Sequence, residues 1–583
     1  MRIAQVEIQN FRGIRELMWR PGPGINCLIG PGDSTKTTVL DAIELCLNPR
    51  SHTLADDCDF HDLDVTKTVQ ITVTLVDIPK DFVAEDRYGR YLRGWLNSES
   101  KLEDEPREGL EYALSIVVSF DRSLEITWSL FNNRIASNDA ADPPMLRYKD
   151  ARLCATTRLG PYAERHLAWG RTSVLARIGD DAGDALSLQL AEAARAARAS
   201  FKAAGTGVFQ KTVDRAKDIG RQFGVQPRGV YNAELDVEGV SITSGGIALH
   251  DDRLPLRRLG CGSARLLVSA LQHEAGATHV ALIDEVEHGL EPHRLARLLK
   301  FLKMPKATGG AQPQIFMTSH SPVVIRELDA KNLYSVRSNA GRTQVSAVLG
   351  TTHDPNLVQG HIRRSPEAFL ARRIVVGEGR TEQGLLRGLD TWWSANGLES
   401  FALRGAIAVD GGGNNAALQI GAHLRDLGYD VLIVLDSDQQ PDQAILQEAR
   451  DSGALVEQWE GGVCTEERLF LDLPWALVGR VVREARRDTV NEDSAKATLN
   501  NHLRGAGLAA LTDLLLPLQT DSVKFRQVLG RSAHDDHWFK SLSCGERIAE
   551  IVGPALTNAD PNSPFLKTKF AEGVRRIRAW IDA

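Results

Sequence analysis

Two stretches of the chain place chemistry-bearing residues directly after apolar runs. The first is Gly30-Pro31-Gly32-Asp33-Ser34-Thr35-Lys36-Thr37, which follows Ile25–Ile29 and leads into a helical pattern over Thr38–Leu47. A strand–loop–helix of this composition can wrap backbone N–H groups around phosphate oxygens, with Lys36 on the β/γ oxygens and the Thr37 hydroxyl on Mg²⁺. Gly30, Gly32, Ser34, Thr35 and Thr38 complete the candidate cradle. Two residues work against it. Thr35 stands where the G-x-x-x-x-G-K-[ST] pattern has glycine, and a left-handed conformation there costs a β-branched residue on the order of 1–2 kcal/mol. Pro31 removes one N–H donor. The second stretch is a pair of acidic strand ends. Val375-Val376-Gly377-Glu378-Gly379-Arg380-Thr381-Glu382 sets one acid at the end of an apolar run and a second in what reads as the first turn of a helix. Further on, Val431–Leu435 delivers Asp436-Ser437-Asp438, whose two aspartates share a side because alternate extended residues do. Oxygen-only donors suit Mg²⁺. Acids this close repel one another unless a cation sits among them.

Three further features lie between these stretches. Val280-Ala281-Leu282-Ile283-Asp284-Glu285 is an apolar run ending in two acids: Asp284 to hold Mg²⁺, directly or through water, and Glu285 to polarise the attacking water. Ile315-Phe316-Met317-Thr318-Ser319-His320 is an apolar run ending in a histidine that resembles the ABC switch histidine, and the resemblance implies contact with a γ-phosphate. Leu259-Gly260-Cys261-Gly262-Ser263 resembles the ABC signature, and the resemblance implies glycines that let a backbone approach a nucleotide held by a partner subunit and a Ser263 that donates to phosphate. The four elements, in this order, resemble those of ABC-type ATPases. Asn10-Phe11-Arg12-Gly13 and a long insertion before Gly260 resemble the RecF/SMC-like branch. The resemblance implies ATP sandwiched between two subunits, and so at least a homodimer.

Positioning these residues requires an α/β framework. Strands are expected around Ile3–Ile8, at Val69–Val76 and at Tyr112–Phe120. A helical block carries Leu186, Leu190, Ala194, Ala197 and Phe201. Strand–helix alternation resumes near Val237 and runs to about Leu349. After a polar connection, a new α/β unit opens at Ile374–Val376, with its second clear strand at Val431–Leu435. Beyond Asp472 the pattern is mostly helical. The expected division is 1–165 and 238–360 for the two parts of the ATPase, 166–237 for a helical dimerisation insert, and 361–583 for the second α/β domain. Alternating βα units imply mainly parallel sheets, with ligands at the carboxyl ends of the strands. With 583 residues, 43% apolar and 25% charged, the chain is long enough for several such units. A net charge of −7 leaves nucleic-acid binding to a local basic groove. Seven scattered cysteines with no CxxC pair argue against a zinc site or a disulfide framework and make the cytoplasm the expectation. The N-terminus has no signal-peptide core, and no run nears the roughly 20 apolar residues a membrane helix needs.

The strand–Glu, strand–Asp-x-Asp combination resembles the Toprim domain of topoisomerases, primases and recombination proteins. Placed after an ABC-type ATPase and the lead-in His361–Phe369, it resembles the OLD (overcoming lysogenization defect) family of nucleases, which includes the nuclease subunit of the Gabija anti-phage system. The fold this implies is α/β: an ABC-type ATPase with a helical insert, followed by a Toprim domain with helical additions. The activity it implies is metal-dependent DNA cleavage gated by ATP, with nucleotide either activating or repressing, in anti-phage defence or DNA processing. Two Mg²⁺ (or Mn²⁺) ions about 3.5–4 Å apart would be held by Glu378, Glu382, Asp436, Asp438 and one of Glu466 and Glu467, with Glu467 preferred. Lys540 would stabilise charge on the phosphate. Candidate DNA contacts are Lys567, Lys569, Arg575, Arg576 and Arg578, and the basic stretch His361–Arg373. A helicase partner is compatible with the resemblance. Two other readings stay open: a DNA-binding ATPase with a regulatory Toprim site, and an RNA-cutting toxin.

Overall fold

The computed structural model describes the chain apart from residues 49–54, 85, 137–144, 161–162, 168–173, 176–182, 204–209, 216–248, 275–278, 305–311, 351–352, 487–491, 513–520, 540 and 558–561. Among the described residues a 13-stranded mixed sheet is built from residues 2–347, and a 4-stranded sheet from residues 373–458. The five adjacent strands Thr157–Leu159, Val280–Ile283, Gln314–Thr318, Ile25–Ile29 and Leu333–Asn339 run parallel. In register, Ile283 faces both Leu159 and Met317, and Thr318 faces Leu28. The carboxyl ends of these strands therefore line one edge, and Gly30, Gly160, Asp284 and Ser319 all leave the sheet there. The rest of the sheet is antiparallel apart from the parallel junction of Arg342–Ala347 with Ile14–Trp19; in it Arg2–Phe11 pairs with Ile14–Trp19 and Val69–Val76, and Val69–Val76 pairs with Glu111–Phe120.

The smaller sheet is all parallel, in the order Ala406–Asp410, Arg373–Gly377, Asp430–Leu435, Leu455–Gln458. Its alternation decides what covers each face. Ile374, Val376, Val409, Ile433 and Leu435 point into a core shared with Ile25, Ile283 and Met317 of the large sheet. Val375, Ala408, Leu432 and Val434 point into a second core built by the C-terminal helices, with Phe470, Phe525, Ile548 and Val574. Burial on both faces is what a parallel sheet requires, and it explains why these strands read as continuous apolar runs. The strand Ala406–Asp410 is not legible as one in the sequence. The expected helical block is a helix over Gly183–Ala203. Much of the chain between this helix and residue 248 lies outside the described residues, and so does the interface role expected of that insert. Among the described residues no helix is long and apolar enough to cross a membrane.

Candidate functional site

The first site sits at the carboxyl edge of the large sheet. The fully buried strand Ile25–Ile29 ends at Gly30, where φ is +143° and an added Cβ would lie 2.5 Å from the Val336 carbonyl oxygen. Helix Lys36–Leu47 comes next. Between them Thr35 adopts φ 64°, ψ 15°, the left-handed conformation that a β-branched residue adopts only under strain. Its hydroxyl donates to the Ser34 carbonyl (2.7 Å) and lies 3.1 Å from Thr343 Oγ1, which helps to hold the strained turn. Ser34 is buried, Gly32 is exposed at the tip of the loop, and Thr38 is half-buried in the first turn of the helix. Lys36 folds back over the loop, its Nζ donating to the carbonyls of Pro31 (2.7 Å) and Gly30 (3.2 Å) and to Ser34 Oγ (3.0 Å). Burial lowers its pKa to about 8, against the pull of Asp33, Glu287 and Asp284.

Asp284 is brought to the same loop. Its Oδ1 accepts from Thr37 Oγ1 (3.1 Å) and Thr318 Oγ1 (2.7 Å), and its Oδ2 from Arg158 (3.0 Å). Arg158 also meets Asp41 (2.7 Å) and Glu44 (3.3 Å) on the helix of the loop. Glu285, at φ 46°, is half exposed, its carboxylate 3.5 Å from His288 Nδ1 and its backbone N–H donating to Thr318 Oγ1. The fully buried Arg265 donates to the carbonyls of Asp284, Glu285 (2.8 Å) and Gly160 (2.9 Å), tying helix Cys261–Glu274 to this turn. His320 is exposed, and burial of its ring followed by the Lys36 charge lowers its pKa. Its backbone N–H donates to Glu287 Oε1 (2.6 Å), while Glu287 Oε2 is buried with no hydrogen-bond partner among the described residues. The missing side chain of Gly262 makes room within the chain, since an added Cβ would lie 2.3 Å from the Gly289 carbonyl. Gly260 faces open space, and Ser263 Oγ accepts from Arg294 (3.2 Å).

The second site is a cleft at the carboxyl edge of the small sheet, lined by Glu378, Glu382, Asp410, Asp436, Asp438, Glu466 and His534. Gly377 faces both Asp410 and Val434 in register, which brings three strand ends together. Glu378 accepts from the Asp436 N–H (3.1 Å). Glu382 lies in the first turn of helix Arg380–Ala395, where its Oε2 accepts from the Gly379 N–H (2.8 Å). Asp436 accepts from both the N–H and the hydroxyl of Thr465, each at 2.8 Å. Asp438 is exposed at the rim. Burial, then the neighbouring carboxylates, pushes Asp436 up to about 9, and burial with Glu466 pushes Glu382 to about 7. Burial works against the ionisation of Glu466 too, yet contact with His534 holds its carboxyl below the usual range.

Sequence reasoning preferred Glu467 over Glu466, and the structure reverses the order. Glu466 is buried in the cleft and accepts from Thr381 Oγ1 (3.1 Å). Glu467 turns outward to Arg531 (3.5 Å) and caps its own helix. Lys540 lies outside the described residues. The basic C-terminal stretch is largely spent on internal contacts. Lys569 pairs with Glu460 (2.9 Å), Arg576 with Glu457, and Arg578 with Asp582 (2.7 Å), while Arg575 donates to the Ala571 carbonyl (3.3 Å). In the other basic stretch, His361 is buried and held neutral by burial, its pKa down to about 3, and Arg373 donates to the carbonyls of Trp580 and Ile581. Arg364 remains near the cleft, against Gly412. Arg158, Glu287 and Asp410 went unnoticed in the sequence, because each is a single residue outside any motif.

Two family models match. Residues 1–140 match "AAA ATPase domain", and residues 96–326 match "AAA domain, putative AbiEii toxin, Type IV TA system". Both end before the acidic cleft. Short stretches are similar to the DNA replication and repair protein RecF. The Prosthecochloris aestuarii protein is 48% identical over 46 residues, 8% of this chain and 12% of that protein. The Chlorobium luteolum protein is 41% identical over 51 residues, 9% and 14% of the two chains. The chain thus matches only about a seventh of those relatives' length. Solved SMC head domains superpose loosely: the head bound to the C-winged helix domain of ScpA at 14% identity and TM-score 0.31, covering 59% of this chain and 97% of that one, and the Thermotoga maritima head at 15% and 0.28, covering 60% and 100%. Likeness that loose says nothing about function. The two family matches together span every motif of the first site, from Gly30 to His320, so the N-terminal part of this chain is similar to AAA ATPase domains.

Proposed function

We propose that the protein is a nucleotide-regulated, metal-dependent DNA endonuclease of the OLD kind, with the ATPase domain as the gate and the acidic cleft as the cutting site. The observation that carries this reading is the cleft: carboxylates from three strand ends and two helices converge on one space, and burial followed by the neighbouring carboxylates pushes two of them upward. An all-oxygen donor set of this kind fits Mg²⁺ or Mn²⁺. Glu378, Glu382, Asp436, Asp438 and Glu466 would hold a metal pair, with Asp410 also lining the cleft. Such a pair activates water and stabilises the leaving oxygen of a phosphodiester. The chain's own part is to hold these carboxylates in place: Thr465 and the Asp436 N–H fix the inner acids, and the Gly379 N–H orients Glu382.

The first site fits a nucleotide by the same kind of test. Lys36 can exchange loop carbonyls for phosphate oxygens, Thr37 and Asp284 already sit together where Mg²⁺ would bind, and the unpartnered Glu287 oxygen gives bound water an acceptor. On this reading Glu285 and His320 face the γ-phosphate, and two subunits close over ATP. The RecF matches favour a DNA substrate. The description of the 96–326 family names a toxin, the class of the alternative reading. Paired variants test the assignment of roles. Lys36→Ala is expected to lose ATP binding. Asp436→Ala is expected to bind ATP normally and to lose cutting of DNA; normal cutting by that variant would rule the cleft out.

A further inference from the structure

One corner of the acidic cleft carries donors for which Mg²⁺ has little use. Cys464 is the cap residue of helix Thr465–Asp472. Its buried Sγ accepts from the Glu467 N–H at 3.5 Å. His534 comes from the last turns of helix Val523–Asp535, and its Nδ1 lies 4.0 Å from Glu466 Oε2. One ligand atom each from Cys464, Glu466 and His534 falls within 4.8 Å of the others. We propose that Cys464, Glu466 and His534 form a separate cation site of the zinc class, which when filled withdraws Glu466 from the acidic cleft.

The donor types decide the class of ion. Mg²⁺ selects oxygen, whereas a sulfur–nitrogen–oxygen set is one that Zn²⁺ accepts, with bonds of about 2.0–2.3 Å. Ligand atoms on one tetrahedral ion lie about 3.3–3.8 Å apart by that geometry, so modest side-chain rotation closes the present spacing. Cys464 caps its helix, its Sγ accepting from the Glu467 N–H, and burial and Glu466 push the thiol up, so an ion bound there displaces its proton. The charges facing the corner call for a cation. Glu466, Glu467 and Asp436 all surround the thiol, and Arg531 is turned outward onto Glu467. Three protein ligands leave a fourth position open. Glu466 is the shared member, its Oε1 held by Thr381. Zinc at the corner and magnesium in the cleft therefore compete for one carboxylate. The site itself stands without the nuclease reading; only its effect on cutting rests on that reading.

Cobalt(II) in place of zinc tests the site directly, because cysteine ligation gives a sulfur-to-cobalt charge-transfer band in the near ultraviolet. Titrated into the full-length protein, cobalt should raise such a band that saturates near one equivalent. Zinc should erase it and excess Mg²⁺ should not. Cys464→Ser should abolish the band and His534→Gln weaken it, while Asp436→Asn and a Cys58→Ser/Cys261→Ser control, which removes the exposed thiols, should keep it. No band in the wild-type protein, or a band that survives Cys464→Ser, overturns the site; loss of the band in Asp436→Asn overturns its separateness. In Mg²⁺-supported plasmid cutting, zinc should inhibit the wild type, and Cys464→Ser should need roughly tenfold more zinc or above. Equal inhibition of both overturns the competition. A protein that cuts nothing yet shows the band retains the site and loses only the nuclease reading.

Discussion

At the scale of single residues, each site is organised by a charge that has to be balanced. At the nucleotide site Arg158 does the balancing, reaching Asp284, Asp41 and Glu44 at once while all four side chains are largely buried. Removing it leaves three carboxylates facing one another, a loss on the order of 3 kcal/mol. Arg158→Ala should therefore melt well below the wild type in EDTA, and Mg²⁺ should restore part of the loss by taking over Asp284; melting unchanged in EDTA would refute that role. In the cleft no basic side chain among the described residues does the equivalent for Asp436 and Glu382, so protons do. Both carboxyls titrate higher folded than unfolded, so in metal-free protein the native state binds the extra protons. That stability is full below the ordinary carboxylate range and is lost as pH rises through the folded values, about 7 for Glu382 and about 9 for Asp436. Thermal midpoints in EDTA should fall between about pH 6 and 9, less so for Asp436→Asn, and Mg²⁺ should stabilise most at the alkaline end. A midpoint that rises over this range would contradict the assignment of those protons.

At the scale of elements, what could be read from the sequence was whatever a strand end announces. Ile25–Ile29, Val280–Ile283, Gln314–Thr318, Arg373–Gly377 and Asp430–Leu435 are buried on both faces, so their apolar runs stand out and the polar residues after them mark the sheet edge. The strain expected at Thr35 comes from the loop pattern alone, and the backbone carries it. Ala406–Asp410 was missed because its two alanines give little apolar signal, and Asp410 was missed with it. Choosing between Glu466 and Glu467 needed the phase of a helix whose start depends on a cysteine cap, a rare signal. The basic C-terminal helix looked free because its partners Glu457 and Glu460 are remote in sequence. Glycine spacing carried a further element-level fact: helices Arg380–Ala395 and Leu542–Leu556 cross at Gly388, where an added Cβ would lie 2.5 Å from Ala549 Cβ and 2.6 Å from Glu546 Cα. Gly388→Ala should cost about 1–3 kcal/mol by overpacking, seen as a lowered midpoint. A neutral result would mean that the helices part without cost.

At the scale of the whole molecule, the two sheets are not independent beads. They share one continuous hydrophobic core. Tyr429, from the small-sheet side, donates to the Phe369 carbonyl (2.7 Å), accepts from Ser335 of the large sheet (3.1 Å) and lies under Arg337 (4.5 Å). A common core lets closure of one unit be felt by the other, as a nucleotide gate needs. Scanning calorimetry of the metal-free protein should then show one dominant transition, and two well-separated ones would mean that the units unfold alone. Whether the acidic cleft cuts DNA is decided by incubating the purified protein with supercoiled and linear plasmid. Mg²⁺, Mn²⁺ and EDTA, with and without ATP, would be compared, with Asp436→Ala in parallel lanes. Metal-dependent nicking or linearisation is expected, abolished both by EDTA and by Asp436→Ala, with the ATP lanes giving the sign of the gate. Cutting that persists in Asp436→Ala, or no cutting by the wild type with either metal, would contradict a nuclease centred on this cleft.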